Sequence, residues 1–161
     1  MNHFGRKVHY KYWNFDSVKE RDFFIRFIEN SGKRYEIHRS YKVVTKFPLG
    51  GYNKHGIKYT PDFVVYGADG SIQHVYDVKS GVNQRAVDAA AKIRFTLFEL
   101  KTGIPVEVVV PRKHDFKMKL YGFTTNFQEA HTRKKRNGKV VTDYYNVYKS
   151  IDYDVTDLIG Q

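Results

Sequence analysis

The stretch Tyr59–Gly81, YTPDFVVYGADGSIQHVYDVKSG, decides how this 161-residue chain is read. Two runs rich in Val, Ile and Tyr, Ile57–Tyr66 and Ile72–Lys79, flank Ala68-Asp69-Gly70, and that order predicts two strands joined by a hairpin turn. Pro61 has no ladder donor and belongs at a strand start or edge, which sets Asp62 at the mouth of the first strand. Side chains alternate across a strand, so Asp77 and Lys79 share one face while Tyr76 and Val78 point to the other. Pairing of the two strands brings Asp62 toward Asp77. Asp69 falls in the turn and is structural.

Outward from this hairpin, the chain reads as one mixed α/β domain. Lys7–Trp13 alternates as a short strand or ordered arm. Ser17 is the expected cap of a first helix, with Glu20 three residues on as in a capping box. Phe24, Phe27 and Ile28 form that helix's apolar stripe, and Asn30-Ser31-Gly32 ends it. Arg34–Phe47 reads as one bent strand ending at Pro48, and Leu49–Gly56 as a glycine-containing loop.

Downstream, Asn83–Lys101 is the clearest helix, with Ala86, Ala90, Ile93, Leu97 and Leu100 at 3.6-residue spacing and Gly103 as its stop. Because that helix is a crossover, the buried run Pro105–Val110 is expected parallel to an earlier strand. Lys117–Phe123 is a further candidate strand, and Val155–Ile159 a closing helical turn. Residues 124–161 are expected to hold a basic hairpin appendage around Asn137-Gly138. The expectation is a central sheet with a helix on each side.

Composition bounds the function. Lys and Arg number 28 against 17 Asp and Glu, a net charge of +11 that suits a polyanion such as nucleic acid, although a basic surface need not bind one. No apolar run is long enough to span a membrane, and the first ten residues lack the apolar core of a signal peptide. The absence of cysteine excludes disulfides, thiolate zinc sites and cysteine nucleophiles, and fits a cytoplasmic protein.

The chemistry rests on Asp62, Asp77 and Lys79. Mg²⁺ takes oxygen ligands and keeps several waters, using one or two carboxylates plus substrate phosphate. Asp62, Asp77 and the carbonyl of Val78 supply such a set, for Mg²⁺ or for Mn²⁺. Lys79 would orient or deprotonate an attacking water, or offset charge on the phosphate. The structural alternative is an exposed hairpin with a weak Asp77–Lys79 surface ion pair.

These residues resemble the PD-(D/E)xK nuclease superfamily, with Pro61-Asp62 and Asp77-Val78-Lys79 in its two motif positions. The order Phe15-x-Ser17-x-x-Glu20, helix, aromatic-rich strand, Tyr59-Thr60-Pro61-Asp62-Phe63, Asp77-Val78-Lys79-Ser80-Gly81 and helix is similar to the phage endonuclease I family of junction-resolving enzymes. The resemblance covers roughly Phe15 to Val110. It implies a restriction-endonuclease-like fold, a metal-dependent endodeoxyribonuclease, branched DNA as substrate and a homodimer making two symmetric cuts. It also implies that Glu20 joins the cleft as a second-metal ligand, a role set against its capping role. Two features depart from that family: Asp rather than Glu precedes Lys79, and the segment between the aspartates is longer.

Three weaker sets remain. Gln84, Arg85 and Lys92 are placed at the start and on the polar side of the second helix, where a phosphate or solvent would meet them. Arg133, Lys134, Lys135 and Arg136, with Lys139, form the densest basic cluster, suited to a DNA backbone or to a solvated turn. The seven histidines include no H-x-x-x-H pair, and no zinc site follows. The rival functions are a superfamily nuclease acting on linear duplex or transposon ends, and a nucleic-acid-binding protein without catalysis.

Overall fold

The computed structural model describes residues 6–83 and 85–160. Among them no helix is long and apolar enough to cross a membrane. A short hairpin, β1 (Val8–Tyr10) and β2 (Trp13–Phe15), opens the chain, turning at Lys11, whose φ is 51°. The arm expected over Lys7–Trp13 is thus the first half of a hairpin. Ser17 Oγ then accepts from the Glu20 N–H at 3.1 Å and starts α1 (Val18–Phe23), as its capping position requires. The helix widens into a π turn at Phe24–Ile28, where the Glu29 N–H reaches back to the Phe24 carbonyl. Phe23, Phe24, Phe27 and Ile28 are all buried.

Arg34–Phe47 is three strands rather than one. β3 (Tyr35–Ile37) stops at His38, whose φ of 54° is left-handed and cannot continue a strand. β4 (Tyr41–Val44) and β5 (Phe47–Leu49) follow, and Leu49–Gly56 is not a loop: β6 (Tyr52–Lys54) pairs back on β5 through Gly50-Gly51. β7 (Ile57–Tyr59) then pairs with β4. Thr60-Pro61 breaks the chain before β8 (Phe63–Tyr66), which pairs antiparallel with β9 (Ile72–Val78) through the expected turn at Ala68-Asp69-Gly70.

Helix α2 spans Ala89–Thr102, capped by Asp88 and ended by Gly103 in the left-handed conformation. It begins six residues later than expected, because Asn83 Oδ1 accepts from the Arg85 and Ala86 N–H groups and holds that stretch as a turn. Its buried residues are Phe95 and Phe98, whereas Ile93 and Leu100 are exposed. The apolar face is therefore rotated from the one the spacing suggests, toward the two large rings.

The crossover delivers β10 (Glu107–Pro111) parallel to β9, as expected, and β11 (Phe116–Lys119) returns antiparallel. β12 (Ala130–Lys134) and β13 (Val140–Tyr144) form a separate hairpin. β14 (Asn146–Tyr148) pairs with β11, and α3 (Thr156–Ile159) closes the described chain. The stretch 124–161 thus divides: its hairpin stands apart, while Ile151 and Val155 are buried in the main core.

The central sheet has six strands in the order β14-β11-β10-β9-β8-β3, mixed in direction. Alternation gives it two apolar faces. Phe63, Val65, Tyr76, Val78 and Val109 pack with the α1 phenylalanines, while Val75 and Val108 pack with Phe95 and Phe98 of α2. The helices therefore cover opposite faces, as the sequence suggested, in a mixed α/β fold.

At the centre, His74 Nδ1 lies 2.7 Å from Glu107 Oε2 and Nε2 lies 2.9 Å from the Ile151 carbonyl, so both ring nitrogens have a partner. Tyr153 donates to Glu107 Oε1 at 2.6 Å. This network fastens the C-terminal segment to β9 and β10.

Candidate active site

Four elements converge at one end of the β8–β9 pair. Asp62 lies in the break before β8, where its N–H donates to the Tyr76 carbonyl at 3.0 Å. Its Oδ2 accepts from the Val78 N–H at 2.7 Å, which fixes the carboxylate beside the end of β9. Asp77, the residue before, is buried, and Tyr59 donates to its Oδ2 at 2.8 Å. Lys79 Nζ stands 2.9 Å from Asp77 Oδ1 as an ion pair without hydrogen-bond directionality, and that buried oxygen has no hydrogen-bond donor.

Glu20 enters from the start of α1 and is 2% exposed. Its Oε2 accepts from the Asp16 N–H at 3.2 Å, and the His38 Nε2–H donates to its Oε1 at 2.5 Å. His38 Nε2 is also 3.8 Å from Asp16 Oδ2 and 4.0 Å from Asp62 Oδ1. Asp16, Glu20, His38 and Asp62 each offer a ligand atom, all within 4.8 Å of one another. Capping and a place in the cluster thus coexist at Glu20, because the backbone N–H serves Ser17 while the carboxylate turns inward.

The electrostatics follow from this crowding. Burial pushes Asp62 well above the usual carboxylate range, and the charges of Asp77 and Glu20 push it further, against the Val78 N–H and Lys79. Burial works against the Lys79 ammonium, yet Asp77, with Asp62 and Asp88 behind it, holds its pKa above that of an ordinary lysine. The hydrogen bond to Glu20 raises His38, against burial, with the charges of Glu20 and Asp16 adding to it. Burial and then Asp77 raise Tyr59.

A divalent cation fits this donor set. The grouped donor atoms are those of Asp16, Glu20, His38 and Asp62; Asp77 is not among them, its Oδ1 facing the Lys79 ammonium at 2.9 Å, although its charge acts on Asp62. Burial first, and then repulsion from Asp77 and Glu20, raise Asp62, and the second of these is the kind a bound dication offsets.

The other expected site residues lie outside this cluster. Arg85 is in the turn before α2 rather than on the helix. Lys92 is in the first turns of α2, its Nζ 5.5 Å from the Tyr121 ring, and Lys119 stands at the same distance from that ring. Gln84 lies outside the described residues. Arg133 donates to Asp143 across its hairpin at 2.9 Å and is spent on that pair, while Lys134, Lys135 and Arg136 are exposed at its end.

Three members of the site escaped the sequence reading. Tyr59 was visible only as the residue opening the TPDF run. Asp16 stood unremarked beside the helix cap. His38 has no signal in H-x-x-x-H spacing, which finds partners on one helix, whereas its partners come from α1 and from the break before β8. Its N–H donates to the Asp62 carbonyl at 3.1 Å, a contact no local pattern announces.

No curated protein and no solved structure matches the chain. Residues 2–130, which include the whole cluster from Asp16 to Lys79, match the model of the family described as protein of unknown function (DUF1064), and the chain belongs to that family.

Proposed function

We propose that this protein is a metal-dependent endodeoxyribonuclease with a restriction-endonuclease-like fold, acting on branched DNA as a homodimer in the cytoplasm. The observation that carries the reading is the meeting of Asp62, Asp77, Glu20 and Lys79 at one sheet end, from three segments far apart in sequence. The net charge of +11 supports a polyanionic substrate around this local island of carboxylates.

Asp62, Asp77 and the Val78 carbonyl would hold Mg²⁺, or Mn²⁺, with Glu20 sharing a second position. When bound, the ion supplies Lewis-acid stabilisation and an activated water for in-line attack on the phosphodiester. The Lys79 ammonium is kept charged by Asp77, so it donates rather than accepts, and its work is to offset charge developing on the phosphate. Tyr59 and the Val78 N–H fix the orientations of the two aspartates.

The test is cleavage of a synthetic four-way junction and of its linear arms, each with Mg²⁺ and with EDTA. Mg²⁺-dependent cuts concentrated at the junction are expected. Equal rates on both substrates would instead favour the linear-duplex nuclease. Binding of DNA without any cuts, whatever the metal, would leave a non-catalytic binding protein.

A further inference from the structure

Between His38 and Asp62, both members of the cluster, the chain makes a long excursion. β4 leaves three residues after His38, and β7 returns three residues before Asp62. Ser40 Oγ and Thr60 Oγ1 close its base at 2.5 Å. Tyr41 pairs with Tyr59 and Lys42 with Lys58, and the ribbon continues outward as β5 and β6. Its root is fastened to α2, where Tyr41 and Tyr59 pack edge-on to Phe98 and Lys101 Nζ donates to the Lys42 carbonyl. From Thr45 to Lys58 every residue is exposed.

Two properties of this ribbon are unusual together. Its nineteen residues, Tyr41–Tyr59, contain Lys42, Lys46, Lys54, Lys58 and His55 but no Asp or Glu. Lys42, Lys46, His55 and Lys58 line a groove of about 490 Å³. The tip, by contrast, is apolar on one face. Phe47 and Leu49 alternate onto it, with Tyr52 directly opposite Leu49 and Lys54 opposite Phe47. Phe47 is 42% exposed, Leu49 64% and Tyr52 86%. Apolar side chains held in water at the end of a cationic stem have no folding role to explain them.

We propose that the ribbon is a DNA-gripping arm: the groove lysines hold backbone phosphates, and the Phe47–Leu49–Tyr52 face packs on base faces exposed where the duplex is interrupted. The inference rests on the nuclease reading and names the element that selects its substrate. Charge chooses the occupant. A second copy of this chain brings another +11, whereas nucleic acid offers phosphates to the stem and unstacked bases to the tip. Because both ribbon strands emerge from cluster residues, DNA gripped by the arm is held next to the carboxylates.

The test compares wild type with Phe47→Ser/Leu49→Ser/Tyr52→Ser, and with Lys46→Ala/Lys58→Ala. All five positions are exposed, so the fold is retained, as circular dichroism would verify. Fluorescence anisotropy in EDTA measures binding to a four-way junction and to its linear arm. The tip variant should bind the junction about tenfold more weakly, by the loss of base contacts, and the linear arm nearly as well as wild type. The lysine variant should weaken on both, its log–log salt slope falling by about two. A tip variant that binds and cuts the junction like wild type, while Asp62→Asn abolishes cleavage, overturns the arm and leaves the nuclease standing. Wild type that neither binds nor cuts either DNA overturns both. Tip-dependent binding to anionic lipid vesicles or tip-dependent self-association, with DNA binding unchanged, also overturns the arm.

Discussion

Removing one hydroxyl tests whether the buried aspartate is held ready for a cation. Tyr59→Phe keeps the ring, which is 4% exposed and packs edge-on to Phe95 and Phe98 at centroid distances of 5.6 and 5.5 Å, so no cavity is made. What disappears is the 2.8 Å hydrogen bond to Asp77 Oδ2. The other oxygen, Oδ1, accepts no hydrogen bond, so Asp77 is left with Lys79 alone. A hydrogen bond to a charged acceptor contributes about 1.5–3 kcal/mol, against about 0.5–1.5 for a neutral pair. The expected loss is therefore about 2 kcal/mol, a fall in melting temperature of about 4–8 °C for a chain of this size. Urea unfolding in EDTA measures it, with the m-value unchanged. In Mg²⁺ the deficit should widen, because a ligand that binds only the native state gives more stability to the form that holds it more tightly, here the wild type. Cleavage by the variant should require more Mg²⁺ than wild type. A stability loss below about 0.5 kcal/mol with unaltered Mg²⁺ dependence would mean that Asp77 is not a charged, under-bonded acceptor.

Three further outcomes are expected. Burial lifts Glu99 to about 7, against the Val106 N–H, so the native state binds its proton more tightly than the unfolded chain. Its cost is absent below the unfolded pKa, grows as pH rises from about 4.5 to about 7 and is complete above that; Glu99→Gln should stabilise by roughly 1–2 kcal/mol, allowing for solvent access, at about pH 8 and leave melting unchanged near pH 4. Glu107→Ala strands His74 and Tyr153 in a fully buried site and should cost about 3–5 kcal/mol in urea unfolding; a loss under about 1 kcal/mol would contradict the network. Gly56→Ala would place a Cβ 1.9 Å from the Val44 carbonyl oxygen, so hydrogen exchange in the ribbon should accelerate while the six-stranded core stays protected.

The paired strands around Asp69, the cap at Ser17, the parallel β10 and the sheet with a helix on either face were legible because each rests on a local signal. A turn tripeptide, a capping residue and a crossover helix all act over a few residues. Other features were not local. The face of α2 was misplaced because alanine and leucine spacing is nearly as regular as the true phase. Phe95 and Phe98 decide the matter by filling volume against Val75 and Val108, which the helix alone does not reveal. Arg34–Phe47 read as one strand because nothing in Ile37-His38-Arg39 announces a left-handed residue. Gly50-Gly51 carries the signal of a loop, yet the turn between β5 and β6 uses Gly50 at a φ of +62°. Of the site, Asp77 and Lys79 are legible from strand alternation and Asp62 from the proline that opens its strand, while His38 and Asp16 depend on how α1 meets the sheet.

The most direct test is strand scission of a four-way junction by wild type and Asp62→Asn under single-turnover conditions with Mg²⁺, with binding measured in parallel. Asn keeps an oxygen for the Val78 N–H, so the fold and DNA binding should persist. Cuts by the wild type are expected, with none in EDTA and none by the variant despite equal or tighter binding. Cleavage by Asp62→Asn at the wild-type rate would contradict the proposed site.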